Sequence, residues 1–420
     1  MARARKRRLA SAQRILLQTL MPDLHEWLNL LVRMAHFIAG IMWIGTSFYF
    51  VWLDSAFTPP EEKREDVEGE LYMTHGGFFY RVEKRRFGAG AVPPGLHWFK
   101  WEATFTWLTG FALLWIVYYA SNAAYLIDPS VRQLSQAHAV MLGLSALVGG
   151  WIIYDLLYRS PIGNSRCGNL VGLALAAGAV WLLTHTFSGR GAFIHLGAMF
   201  GTIMVQNVWV HILPMQRAMI AAAQAGQEPD FEMGKRAKRR SMHNSYLTLP
   251  VLFTMISNHF AALYGHAQNW VVLILVVVAG ALLRHTMIRA KAWPLAPAFG
   301  CLAAMMWMTA PRAATIPAAT GPKVAFAEAF AILQTRCYAC HSANPTDDIF
   351  KVAPNGVMFD SPEKARAFAP RIYERSVAQK TMPFLNKTQM TDEERATLGR
   401  WVQQGAEVDG NSRDQEPNSK

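Results

Sequence analysis

Cysteine is scarce. Four in 420 residues are too few for the disulfide scaffold of a small secreted domain. No Gly-x-Gly-x-x-Gly follows a strand-like run and no Walker sequence occurs, so neither a Rossmann flavin or nicotinamide site nor a nucleotide-driven engine is expected. Charge is scarce as well: 17% of residues are charged against 52% hydrophobic, with 14 Trp and 23 Phe. That balance excludes an ordinary soluble protein and reads as a polytopic membrane chain. The net charge of +12 does not point to nucleic acid, because the basic residues sit in short loops between apolar runs, where a bilayer explains them.

What is present falls into ordered blocks. Eight apolar stretches, near 27–53, 102–120, 136–158, 168–187, 192–216, 242–264, 269–289 and 293–310, approach the roughly 20 residues that a helix needs to cross ~30 Å of hydrocarbon. Residues 21–310 therefore read as a membrane domain, 311–323 as a Pro/Ala/Thr linker, 324–408 as a small soluble domain and 409–420 as a polar tail. The expected fold is all-α, a bundle of about eight spans followed by a class-I-like cytochrome c domain. In that domain Thr391 and Glu394 form a capping-box pattern and Gly405 suits the helix stop.

Cys337-Tyr-Ala-Cys-His341 has the spacing for covalent attachment of a c-type haem. Two thiols add to the vinyl groups and the adjacent His ligates the iron. Zinc is the rival ligand, but the region offers no further Cys or His to complete its four-coordinate site. Met358, Met382 and Met390 could supply the second axial ligand, and Met382, followed by Pro383 and preceding the last helix, has the best setting. Cys167 and Cys301 lie in apolar segments and read as core fillers.

Topology follows from charge. One alternate set of loops holds nearly all the Lys and Arg, while the other holds Arg132 and Arg190. The first set then faces the cytoplasm, and the haem domain lies in the periplasm of a bacterial inner-membrane protein. The basic segment 1–20 conflicts with this arrangement, and Met21 is the expected functional start.

Ionisable groups inside a membrane are costly and default to function. His36, His138, His195 and His259 fall in the outer halves of their spans, and two of them could ligate a buried b-type haem. His211, His243 and His285 fall nearer the cytoplasm. Gly197 and Gly201 form a small-xxx-small face for close helix packing, which would turn Thr202, Gln206 and Asn207 into the bundle beside His211. Such amides, with Arg240 and Arg284 nearby in sequence, suit a planar anion. For each histidine a plain interhelical hydrogen bond is an equally good reading.

The segments Leu96-His-Trp-Phe-Lys-Trp-Glu-Ala103, Gly201-Thr-Ile-Met-Val-Gln-Asn-Val208, His243-Asn-Ser-Tyr-Leu-Thr-Leu-Pro250 and Ile256-Ser-Asn-His259, followed by C-x-x-C-H, resemble the membrane-bound, cytochrome-c-fused urate oxidases, also called urate hydroxylases. The resemblance runs from Met21 to about Gly405. It implies oxidation of urate to 5-hydroxyisourate, the first step of urate degradation. Water would supply the hydroxyl oxygen, and electrons would leave through the cytochrome to an acceptor such as a cytochrome c oxidase. Attack by water needs a general base, for which His211, His243 or His285 could serve. On the residues alone, a membrane-anchored electron carrier without urate chemistry and a transporter stay open.

Overall fold

The computed structural model describes residues 2–90, 92–120, 123, 125–310, 321–347, 350 and 353–408, with side chains from Leu24 onward except those of Asn164, Asn355 and Leu385. Residues 311–320 of the expected linker and the tail 409–420 lie outside the described residues. Two compact units result, one from Met1–Ile127, Val131–Tyr264 and Gln268–Trp307, the other built on Met308–Lys420.

All eight apolar stretches fall on helix. The first unit contains α1 (Ala2–Ala56), α2 (Trp101–Leu114), α3 (Gln136–Arg159), α4 (Arg166–Thr184), α5 (Gly189–Gln206), α6 (Leu213–Gln224), α7 (Phe231–Ile256), the single turn α8 (Ala261–Tyr264), α9 (Asn269–Arg289) and α10 (Leu295–Thr309). Among the described residues five helices are long and apolar enough to cross a membrane: Leu24–Ala56, α3, α4, the continuous Gly189–Gln224 and α9. α2 and α10 are shorter, and the first part of α7 is basic. Ser135, Ser165 and Ser188 each accept a backbone N–H at the starts of α3, α4 and α5, which satisfies donors that a helix start leaves open.

The all-α expectation needs one correction. Strands β1 (Val67–His75) and β2 (Phe78–Arg85) form an antiparallel hairpin across Gly76 and Gly77, with φ of 60° and 82°. Two left-handed residues make the tight turn whose twist suits a hairpin. Glu70 is buried, accepts the Glu61 N–H at 2.8 Å and pairs with Arg81 at 2.7 Å. These contacts, the Glu61 N–H first, hold its carboxyl below the usual carboxylate range.

α5 is the central helix, buried over most of its length from Gly191 to Val205 and packed by α2, α3, α4 and α7. The two glycines of its expected small-residue face behave differently. A Cβ on Gly197 would meet Thr254 Oγ1 of α7 at 2.1 Å, whereas one on Gly201 would meet nothing within 4 Å. The small-residue face is therefore a single close approach at Gly197. α7 and α9 make a second one, where a Cβ on Gly280 would meet the Pro250 ring at 2.9 Å. Cys167 is exposed and Cys301 half-buried, so neither fills the core.

The second unit packs α11 (Phe326–Arg336) and α14 (Asp392–Gln403), with the short α12 (Pro362–Ala367) and α13 (Ala369–Ile372) between them in sequence. Phe326, Leu333, Leu398, Trp401 and Met390 make its core, and the Thr391–Glu394 capping box is formed. Overpacking a close helix contact costs about 1–3 kcal/mol, whereas Ala at an open helical Gly gains up to ~1 kcal/mol. Thermal unfolding should therefore show Gly197→Ala lowering the midpoint and Gly201→Ala leaving it unchanged or higher.

Candidate functional site

Three elements converge on a buried polar cluster in the first unit. α3 presents Trp151, Tyr154, Asp155 and Tyr158, which spacings of three and four place on one helix face. α7 presents Arg240, His243 and Asn244 by the same rule. Between α5 and α6 the helix widens into a π-helical turn over Asn207–Ile212, a local distortion common at functional sites. It buries both Asn207 and His211. Its outer side rests on the aromatic segment that starts α2: Trp209 donates to Thr104 at 2.8 Å and Trp107 to Thr202 at 3.0 Å.

The hydrogen bonds fix the orientation of each group. The Asn244 amide nitrogen donates to the Met204 carbonyl at 2.9 Å, so Asn244 Oδ1 must face the other way. There it accepts from Asn207 Nδ2 at 2.9 Å. Asn207 Nδ2 gives its other hydrogen to the Tyr154 hydroxyl at 2.9 Å. Tyr154 in turn is free to donate to His243 Nδ1 at 2.8 Å, which puts the His243 proton on Nε2. Asn207 Oδ1, in a residue with no exposed surface, is left without a partner. Assignments of this kind rest on network consistency, and here one backbone carbonyl decides the chain.

Asp155 is the charged hub. Its Oδ1 accepts from His211 Nε2 at 2.5 Å and Arg240 Nη2 at 3.1 Å, and its Oδ2 from Arg159 Nε at 2.7 Å. Arg240 lies over the Tyr154 ring at 5.2 Å, and its Nη1 is buried with no partner. An unsatisfied buried donor and an unsatisfied buried acceptor on one connected network suit a ligand carrying a complementary N–H and C=O. Arg240 is thus inside the bundle.

Other expected residues are placed elsewhere. His285 Nδ1 meets the Tyr246 hydroxyl at 2.7 Å and its ring meets Trp293 at 5.6 Å, contacts that do not include the Asn207 network. His195 has both nitrogens engaged: Nδ1 donates to the Gly191 carbonyl at 2.8 Å, and Nε2 accepts from Tyr119 at 2.9 Å. His36 Nδ1 contacts the Thr106 carbonyl at 3.0 Å, while His138 and His259 are exposed. Among the described residues no hydrogen bond or ring contact joins any two of these four. An iron bound at His195 would have to displace Tyr119. Tyr154, Asp155 and Tyr158 went unrecognised in the sequence, although a carboxylate inside the apolar run of α3 was a usable signal.

In the second unit Cys337 and Cys340 follow α11, the first buried and the second half-buried. Burial pushes Cys337 up to about 12 and Cys340 up to about 11. His341 Nδ1 donates to the Val357 carbonyl at 2.9 Å, which leaves Nε2 as the free ligand atom. Met382 is half-buried, and Arg395 of α14 anchors its carbonyl at 2.6 Å. Met390 is 3% exposed and belongs to the core.

Fold and site together define a helical bundle, several of whose helices are long and apolar enough to cross a membrane, with a buried amide–guanidinium cluster. A family model described as urate oxidase N-terminal matches residues 22–314, more than half of the chain, and the chain belongs to that family. No curated protein matched it, and no solved structure did.

Truncating a buried Met leaves a cavity and costs about 2–5 kcal/mol. Met390→Ala is expected to destabilise the second unit by that amount, as read by urea dependence of amide exchange over 324–408.

Proposed function

We propose that this chain oxidises urate to 5-hydroxyisourate in a bundle of eight membrane spans and delivers the electrons to a covalently bound c-type haem in the Met308–Lys420 unit. Family membership supports an oxidoreductase acting on urate. The observation that carries the site is the pair of unpartnered buried atoms, Asn207 Oδ1 and Arg240 Nη1. Urate is a planar monoanion with alternating lactam N–H and C=O groups. One N–H would donate to Asn207 Oδ1 while a neighbouring oxygen or deprotonated nitrogen accepts from Arg240 Nη1.

Urate monoanion and water give 5-hydroxyisourate, one proton and two electrons. The proton needs a base. Geometry argues against His243, since its Nδ1 already accepts from Tyr154 and its Nε2 carries the proton. His211 donates Nε2–H to Asp155, which leaves Nδ1 with a lone pair and a carboxylate behind the ring to stabilise the imidazolium that forms. Asp155 is then a positioning residue that sets the tautomer.

The residues of the second unit fit a haem. Cys337 and Cys340 would attach it, His341 Nε2 and Met382 would hold its iron, and the group would supply a one-electron acceptor used twice per urate. The Lys and Arg distribution supports cytoplasmic basic loops and a periplasmic haem unit, in an inner membrane where a cytochrome c oxidase or similar acceptor could take the electrons onward.

Anaerobic urate should reduce the haem of the purified protein without peroxide, and product formed in ¹⁸O-labelled water should carry the label. An oxidised haem, or peroxide in proportion to urate consumed, overturns the reading. Asp155→Asn is expected to lower kcat by about 10²- to 10⁴-fold with little change in KM. A change confined to KM would make Asp155 a binding or packing group instead.

A further inference from the structure

Arg284 is a buried charge that the Asn207 network leaves unused. It lies on α9 with 1% of its surface exposed, and its guanidinium sits 3.8 Å from the centroid of the Phe48 ring on α1. Nε donates to the Ser245 carbonyl of α7 at 3.2 Å. Nη1 reaches the Met287 sulfur at 3.9 Å, and Nη2 has no partner. Among the described residues no carboxylate forms a salt bridge with it. Arg240 differs in this respect, because it shares Asp155.

A buried cation without a counter-ion is costly, and the aromatic face of Phe48 offsets part of that cost. A Met or Leu would pack between α1, α7 and α9 without it. The unpartnered Nη2 is a directional donor, and guanidinium is the side chain best suited to present such a donor to an oxyanion. One uncompensated positive charge matches one negative charge; a dianion would leave the balance reversed.

We propose that Arg284 is a second anion-binding site, distinct from the Asn207–Arg240 cluster. Its ligand is a monoanion whose acceptor atom meets Nη2 while Phe48 covers the guanidinium face. Two sources carry that chemistry: a soluble planar monoanion of urate's kind, and the phosphodiester of an anionic lipid headgroup. The proposal stands apart from the oxidase reading, since it concerns binding and uses no turnover.

The test is thermal unfolding of the full-length protein in neutral detergent. Arg284→Met removes an uncompensated charge, so the ligand-free variant should unfold at a higher temperature than the wild type. An Arg284 that serves only as a structural strut predicts the opposite, and a lowered midpoint overturns the proposal. Ligand response is read in an Asn207→Ala background, which disables the first cluster, by titrating sodium urate or phosphatidylglycerol. If urate raises the midpoint of Asn207→Ala but not of Asn207→Ala/Arg284→Met, the ligand is the soluble monoanion. If phosphatidylglycerol does so, it is the lipid. Loss of the charged contact should weaken the responding probe by about 10- to 100-fold. If neither probe distinguishes the two variants, there is no anion site at Arg284.

Discussion

The bond from the Asn244 amide to the Met204 carbonyl sets the direction of the amide–hydroxyl–imidazole chain in the bundle cluster. A carbonyl can only accept, so Asn244 must turn its nitrogen toward α5 and its oxygen toward Asn207. The consequence passes through the Asn207 amide to Tyr154 and from Tyr154 to His243. In a low-dielectric interior such a chain admits few alternatives, because any reversed amide would place two donors or two acceptors together. The cluster therefore presents a fixed pattern, with an acceptor at Asn207 and a donor at Arg240, before any ligand arrives.

The π-helical turn explains how one helix serves packing and chemistry together. α5 is buried almost throughout and approaches α7 closely at Gly197. A regular helix would carry that tight packing on past Asn207. Widening at Asn207–Ile212 lets Asn207 reach α7 and Tyr154 while His211, one turn on, reaches Asp155 of α3. The aromatic segment 96–107 closes the opposite side, with Trp209 and Trp107 each tied by an indole N–H.

Local signals in the sequence located the helices and the Thr391–Glu394 capping box, because periodicity and capping are properties of neighbouring residues. The hairpin was also legible: β-branched and aromatic residues flank Gly76-Gly77, yet that loop sits in a chain otherwise dominated by apolar helices. Gly197 and Gly201 look alike in sequence, and only the position of α7 separates a close contact from open space. The pairing of Asp155 with Arg240 was hidden for the same reason, because it depends on how α3 and α7 lie against one another.

Pro250 has no amide hydrogen, so the Tyr246 carbonyl one turn earlier in α7 lacks its usual helical donor, and the ring is seated against Gly280. The missing bond makes this the compliant point of a helix that carries His243 and Asn244 on one face and, through the Ser245 carbonyl, touches Arg284 on the other. A small bend there would move both faces in the same stroke. Both sets of contacts thus hang on the same stretch of α7, just before Pro250.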